Sequence, residues 1–404
     1  GLGKAVSSNK VISLNDYLDN ELKETVDTIG ENYLRPSTYN DNVYGIQTYR
    51  GNVMIYYWIC DKELFDATGF SADDIKNIRD LTPVLAKLKE QNENIVPIAP
   101  SLGANNTPNS FNQLAILSAR DDYEDVLIGS LNPLTCIEKD DLTIKNIYET
   151  DMFKEACELA YEWNQNGYVL PDASVATDAP YDLIKAGRAA SMTIGYAYGT
   201  ESVDEIMDAQ CGKDIVAIPL CETLLTPVTM YWSITQTCSN PEAAAKVLNM
   251  MFTNETVLNY IIFGVEGIDY VKGDVVDGIQ TIKYPEGYDM SSVPYTEAYS
   301  CGIVGNQFIM YALEGNTKAE DIAFMKEKTE TAKLSPIYGF DPDTTNVKTE
   351  QSAIGNVVSQ YASGLLTGEL DPEEYIPKMQ EEMKDAGMDN FIAEVQTQLD
   401  AWEK

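Results

Sequence analysis

The chain carries no histidine at all, so every reaction that leans on an imidazole is closed to it. Ser-His-Asp and Cys-His hydrolysis and His-ligated zinc are excluded on that ground. Carboxylates are plentiful instead, with Asp+Glu 64 in 404 residues. Two of them flanking a glycosidic bond can hydrolyse it without histidine, which keeps a carbohydrate-active enzyme in play. No acidic pair, however, flanks the aromatic stretches described below. Seven cysteines (60, 136, 157, 211, 221, 238 and 301) include no CxxC pair, and an odd number cannot all pair within one chain. Cys60 and Cys157 stand in apolar or helical surroundings and read as buried free thiols. Asp341-x-Asp343-x-Thr345 mimics the start of a calcium loop but lacks its later Gly and Glu, so helix capping fits it better. Gly264-x-x-Gly267 is followed by no Lys-Ser/Thr and is not a phosphate loop. No metal or cofactor is expected.

Charge narrows the partners. Lys+Arg 28 against Asp+Glu 64 gives a formal net charge of −36 and a pI near 4.1. Nucleic acid and anionic lipid surfaces are repelled, and the spread of the acid along the chain describes a solvated surface. No apolar run reaches membrane-spanning length. With 44% hydrophobic residues the chain can bury a large core.

The elements that would position any site alternate between strand and helix, an α/β pattern. The stretch from Asn42 to Gly69 is the clearest: a Tyr44-Gly45 turn, the polar segment QTYRGN, then an apolar and aromatic run from Val53 to Cys60. Such a run is a strand buried on both faces. Asp61 caps a following helix that carries Leu64 and Phe65 inward and ends near Gly69. Ser71-x-x-Asp74 forms a capping box before IKNIRDLTPVLAKLKEQ. Further helices are expected over Phe153 to Asn166 and Leu183 to Ala190, with strands at SMTIGYAYG and Asp214 to Leu220. Asn240-Pro241 and Asp371-Pro372 each open a helix, and Phe391 to Trp402 closes the chain as an amphipathic one.

Four stretches together resemble the extracellular solute-binding proteins of sugar ABC transporters, in a lipoprotein branch of that family. They are the "Tyr-Gly-Ile, loop, aromatic strand, acid-capped helix" of Asn42 to Gly69; LAYEWNQNGYVLPDA with DLIKAGRAASMTIGYAYG; YWSITQTCSNPEAAAKVLNMMFTNETVLNYIIFGVEGIDY; and the C-terminal segment from GFDPDTTNV to LDAW. The resemblance covers nearly the whole chain. It implies a two-lobed periplasmic-binding-protein-like fold of type II, with a ligand cleft between the lobes and hinge crossings near Met54 to Tyr57, Met230 to Ser233 and Pro294 to Phe308. Residues 1–56 with 231–300 would form lobe I, and 57–230 with 301–404 lobe II.

It further implies an extracellular substrate-binding component of an ABC importer, not an enzyme, that delivers a sugar or oligosaccharide to permease subunits. Peptide or another non-sugar solute remains an alternative ligand. Relatives have a secretion signal and a first strand-helix-strand portion before the equivalent of ISLNDYL. The chain is therefore expected to be a shortened form of a cell-surface lipoprotein or periplasmic protein that is monomeric with its upstream residues and tends to associate without them. Its lipid anchor would lie outside the sequence, and the first lobe would have an uncovered sheet edge that weakens binding. Sugar recognition asks for flat rings against C–H faces and planar polar groups for hydroxyls. The candidates on the crossing segments are Tyr49, Arg50 and Asn52; Asn109 and Phe111; Tyr196 and Tyr198; Tyr231 and Trp232; Glu266; and Asn306. Trp163, on a helix, reads as packing.

Overall fold

Burial from both sides makes Ile55–Asp61 the centre of the largest sheet. Trp58, Ile59 and Cys60 are fully buried, as an uninterrupted apolar run requires. In a computed structural model of the chain the described residues are 1–103, 108–118, 123–124, 134–138, 142–223, 225, 230–298 and 302–402. The sheet order places Ile215–Glu222, Ile55–Asp61, Ala189–Tyr196 and Val96–Ile98 side by side, the first two pairings antiparallel and the last parallel. A polar thread ties three strands together: Trp58 Nε1 donates to Ser191 Oγ at 2.9 Å, and Ser191 Oγ donates to the Pro97 carbonyl at 2.6 Å. Asp61 caps the helix Lys62–Thr68 by accepting from Leu64 N, and Gly69 ends it at φ 80°. Phe65 packs edge-on against Trp58, whereas Leu64 is only half-buried.

This sheet belongs to one of two compact units, made of Met54–Leu224, Ser335–Ile337 and Asp341–Lys404. The long helix Asp151–Gln165, capped by Thr150, and the C-terminal helices Lys348–Leu366, Pro372–Asp385 and Met388–Trp402 complete it. The other unit is Gly1–Val53, Leu225–Leu334 and Tyr338–Phe340. Its described sheets have two or three strands each, and the helices Pro241–Thr253 and Glu255–Phe263 form its framework. The chain changes unit at 53/54, at 224/225 and between 334 and 341, whereas the sequence reading set the divisions at 56/57, 230/231 and 300/301. Segment 302–334 packs in the first unit, not with the C-terminal helices, because strand Ala312–Leu313 pairs with Ile279–Lys283 and Asn306 bridges to Tyr49.

Local differences from the sequence reading have physical causes. The Ser71–Asp74 capping box forms, yet it starts only a 3₁₀ turn; a second box, Asn77 with Asp80, precedes the helix proper, Leu81–Gln91. Leu183 to Ala190 divides into the helix Pro180–Lys185 and the start of a strand at Ala189, with Gly187 at φ 67° turning the chain between them. The thiols of Cys60 and Cys157 are free and buried, and burial pushes both pKa values well up. Cys301 lies outside the described residues, as do Thr229 and part of the Asn-rich loop after Gly103.

Ile215–Glu222 is an edge strand, and its outer face is not left open. Asp204 and Asp208, one turn apart on the helix Thr200–Cys211, accept from Ala217 N and Ile215 N, each at 2.6 Å. These are the amides that face away from the neighbouring strand, and Pro219 removes a further donor from the same edge. Burial raises the Asp204 carboxyl pKa; the Ala217 amide opposes the shift, and Asp208 and Glu201 add to it. A raised carboxyl pKa stabilises the fold below the ordinary carboxylate range, and that contribution is lost as pH rises through the raised value. The acceptor, not the charge, is therefore what the edge needs at neutral pH. Asp204→Ala should lower unfolding stability by about 1–3 kcal/mol, the cost of orphaning a buried amide, while Asp204→Asn should leave it unchanged or higher at pH 7. Urea unfolding of the two variants checks this, and an equal loss in both would mean that the charge matters more than the acceptor.

Candidate functional site

Within the first unit, segment 46–51 runs between two others. On one side Ile46–Gln47 pairs antiparallel with Tyr231–Trp232, matching Trp232 to Ile46 and Tyr231 to Gln47, and Thr48 N donates to the Met230 carbonyl at 3.1 Å. On the other side Tyr49 N donates to Gly305 O at 3.0 Å and Gln307 N to Tyr49 O at 2.8 Å. The Gln307 side chain then accepts from Gly51 N at 3.1 Å. The Ile303 carbonyl joins the two sides, accepting from Thr48 Oγ1 at 2.9 Å and from Trp232 Nε1 at 3.3 Å. The indole is thus fixed by its N–H while 37% of Trp232 stays exposed, next to Ile303 at 40%. An anchored, partly bare ring is a surface on which an apolar face can stack.

The 303–309 segment is held from below by helix ends. The last-turn carbonyls of Pro241–Thr253 have no donor inside their own helix. Asn306 supplies two: its N–H bonds Met251 O and its Nδ2 bonds Phe252 O at 3.0 Å, while its Oδ1 accepts from Phe308 N at 2.9 Å. Gly305 sits at φ 60° with its backbone against Met251 O, where any Cβ would collide. One helix on, Asn259 accepts from Tyr311 N at 2.8 Å and donates to Ile309 O at 2.9 Å.

The structure therefore sorts the residues singled out in the sequence. Asn306 is 2% exposed and is a backbone clamp, with no surface left for a ligand. Tyr49, 6% exposed, is enclosed by edge-on contacts with Tyr33 and Phe308 at 5.0 and 4.9 Å, and burial raises its pKa. Phe111 is wholly buried against Trp163 at 5.5 Å, the expected packing partner. Asn109 staples its loop, donating to Ala173 O and Ala176 O and accepting from Gly103 N. Glu266 is an exposed partner of Lys272 at 3.1 Å; it is Asp269 that accepts from Val265 N in that turn. Arg50, Asn52, Tyr231 and Trp232 all belong to the first unit and are half-buried or exposed. Tyr196 and Tyr198 lie in the second unit, half-buried and stacked on each other at 6.0 Å and 23°. Thr48 and Ile303 were not singled out, since a main-chain carbonyl leaves no trace in the residue types. Among the described residues no group of three or more Cys, Asp or Glu side chains is placed to hold a metal, and no helix is long and apolar enough to cross a membrane.

Residues 2–257 match the model of the family described as bacterial extracellular solute-binding protein, and residues 336–404 match a domain of unknown function, DUF3502. A carbohydrate ABC transporter substrate-binding protein of Streptococcus pneumoniae serotype 4 is 25% identical over 97% of this chain and 76% of its own length. The crystal structure of an N-glycan transport solute binding protein from Streptococcus pneumoniae is 22% identical, with TM-score 0.74 over 99% of this chain and 84% of that one. A solute binding protein from Bifidobacterium longum infantis, described as HMO binding, is 15% identical with TM-score 0.67, covering all of this chain and 86% of that one. The two-lobed α/β fold is common to them and to this chain.

If Asn306 clamps helix ends and Trp232 stands at the surface, their removal should differ in ligand-free protein. Asn306→Ala should cost about 1–3 kcal/mol by exposing buried carbonyls without donors, whereas Trp232→Ala should cost clearly less. Guanidinium unfolding of both variants measures this; a larger loss for Trp232→Ala would place its ring in the core.

Proposed function

The chain belongs to the bacterial extracellular solute-binding proteins, and from that premise we propose that it is the substrate-binding component of an ABC importer for a sugar or oligosaccharide. The observation that carries the sugar reading is the Trp232 indole, tied to the Ile303 carbonyl through its N–H and left partly bare on the unit that also carries Arg50, Asn52 and Tyr231. Rings of this kind pack against the C–H face of a pyranose, and the polar neighbours take its hydroxyls. The pneumococcal relative named for carbohydrate transport, similar over almost the whole chain, supports the same ligand class. Tyr196 and Tyr198, stacked on each other at 6.0 Å, are the aromatic candidates of the second unit taken by itself. The two compact units are read as the two lobes, so that lobe I ends at Val53 and resumes at Leu225. The protein acts by binding and release to a permease, and its ligand leaves unchanged.

A thermal-shift screen against plant and host oligosaccharides identifies the ligand, since binding to the native state alone raises the melting temperature. With that ligand, Trp232→Ala should weaken binding by about 1–3 kcal/mol in calorimetry, the range for an aromatic anchor. Prolonged incubation followed by chromatography should return the ligand intact; accumulation of a product would move the protein to the carbohydrate-active enzymes.

A further inference from the structure

We propose that Arg50 recognises an acidic group on the ligand, so that the carbohydrate bound here carries a carboxylate or a sulfate ester. This deepens the sugar-binding reading above and rests on it. The starting point is an arginine with no counter-ion among the described residues, in a chain rich in carboxylates. Arg79 pairs with Glu155, Arg188 with Asp178 at 3.0 Å, and Arg35 has a partner of its own. Arg50 makes no hydrogen bond or ion pair with any described residue, and its Nε is buried with no acceptor.

A guanidinium carries five donors and stays charged at any physiological pH. Enclosing part of it with nothing to accept is unfavourable unless something else arrives. The carboxylate whose charge bears on the neighbouring Tyr33 and Tyr49 is Glu330, and Glu330 is already held by Lys326. Among the described residues the side chain therefore has no paired anion.

Its place in the chain directs it to the Trp232 surface. Thr48 and Trp232 both bond the Ile303 carbonyl, so their side chains share one face of the ribbon. Arg50 is two residues beyond Thr48 and four beyond Ile46, the register partner of Trp232. It lies on the same face by the alternation of an extended chain and roughly 13 Å along it from that partner, a span of two to three sugar residues. A sugar stacked on the indole would carry its next substituents toward that guanidinium. Hydroxyls alone would leave the charge uncompensated; two oxygens of a carboxylate or sulfate match the planar fork of the arginine. The net charge of −36 does not forbid an acidic ligand, because surface charges farther than about 8 Å are largely screened at physiological ionic strength.

The test uses matched pairs in calorimetry: galacto-oligosaccharides against oligogalacturonates and against sulfated galacto-oligosaccharides of equal length, and desialylated against sialylated N-glycans. The expected result is binding at least about tenfold tighter for the acidic member of a pair, as for other charge-assisted bidentate contacts. The uronate and sulfate arms tell which acid is read. Arg50→Gln should abolish the preference, weakening the acidic member at least about tenfold more than the neutral one, which loses only a hydroxyl contact, and Arg50→Lys should restore part of it. Melting of ligand-free Arg50→Gln should not fall, since the substitution removes an unpaired charge; a large drop would make Arg50 structural and overturn the proposal. Neutral members that bind as tightly as acidic ones, or an unchanged ratio in Arg50→Gln, would also overturn it while leaving the sugar-binding reading intact. Failure of every glycan, neutral and acidic, would overturn both.

Discussion

The unpaired carbonyls at the end of helix Pro241–Thr253 are the constraint from which the site follows. A helix terminus must find donors, and here one residue, Asn306, provides them from its main chain and its side chain together. That requires the incoming chain to touch the helix end, which a glycine at 305 permits and a side chain would not. Once 305 and 306 are seated, the Ile303 carbonyl has little freedom, and with it the Trp232 indole that hydrogen-bonds there. Asn259, in the middle of the next helix, fixes the far side of the segment in the opposite sense, its side chain bonding the loop's own Ile309 carbonyl and Tyr311 amide. The partly bare Trp232 face of this unit thus rests on a helix end, with the short Ile46–Gln47 and Tyr231–Trp232 strands serving as its outer frame.

Much of the fold was legible in the chain, because its signals are local. The buried strand after Met54, the Asp61 cap, the Asn240-Pro241 and Asp371-Pro372 helix starts and the packing role of Trp163 depend on neighbours a few residues away. The site was legible only in part. Tyr49 and Trp232 are both aromatic residues on crossing segments, and nothing near either one in sequence distinguishes a core ring from a surface one. Tyr49 is enclosed by Phe308, more than 250 positions away, while Trp232 has no such lid among its ring contacts. Asn306 misleads in the same way: a polar residue in a Gly-rich loop looks available, and the carbonyls that occupy it lie on a helix some 50 residues earlier. Unit boundaries were missed for the same reason, since the 302–334 segment is recruited to the first unit by long-range pairing.

The C-terminal helices are integral to the second unit. Gln113 Nε2 donates to the Leu366 carbonyl at 2.6 Å, Gln380 Nε2 to the Tyr148 carbonyl at 2.8 Å, and Gln396 accepts from Ile144 N at 2.7 Å. Each is a side-chain amide that satisfies a backbone group of another element, which apolar contacts alone would leave unpaired. Gly368, at φ 78°, lies against the Ala160 carbonyl where a side chain would collide, so the turn after Lys348–Leu366 is fitted to the helix Asp151–Gln165. The region matching the second family model therefore contributes to the same core as the central sheet.

The pair of aspartates along the outer strand has a consequence for how this region can change over time. One helical turn advances about 5.4 Å and two strand residues about 6.6 Å. The two rulers nearly coincide, and that is why Asp204 and Asp208 can both reach alternate amides of Ile215–Glu222. The agreement holds for a single alignment only. A one-residue insertion or deletion within the helix between 204 and 208, or in the strand between 215 and 217, would change one spacing against the other, so that only one of the two bonds could be kept. Length variation in this part of the lineage should accordingly be confined to the turn around Gly212, where the chain leaves the helix at φ 62° before the strand begins.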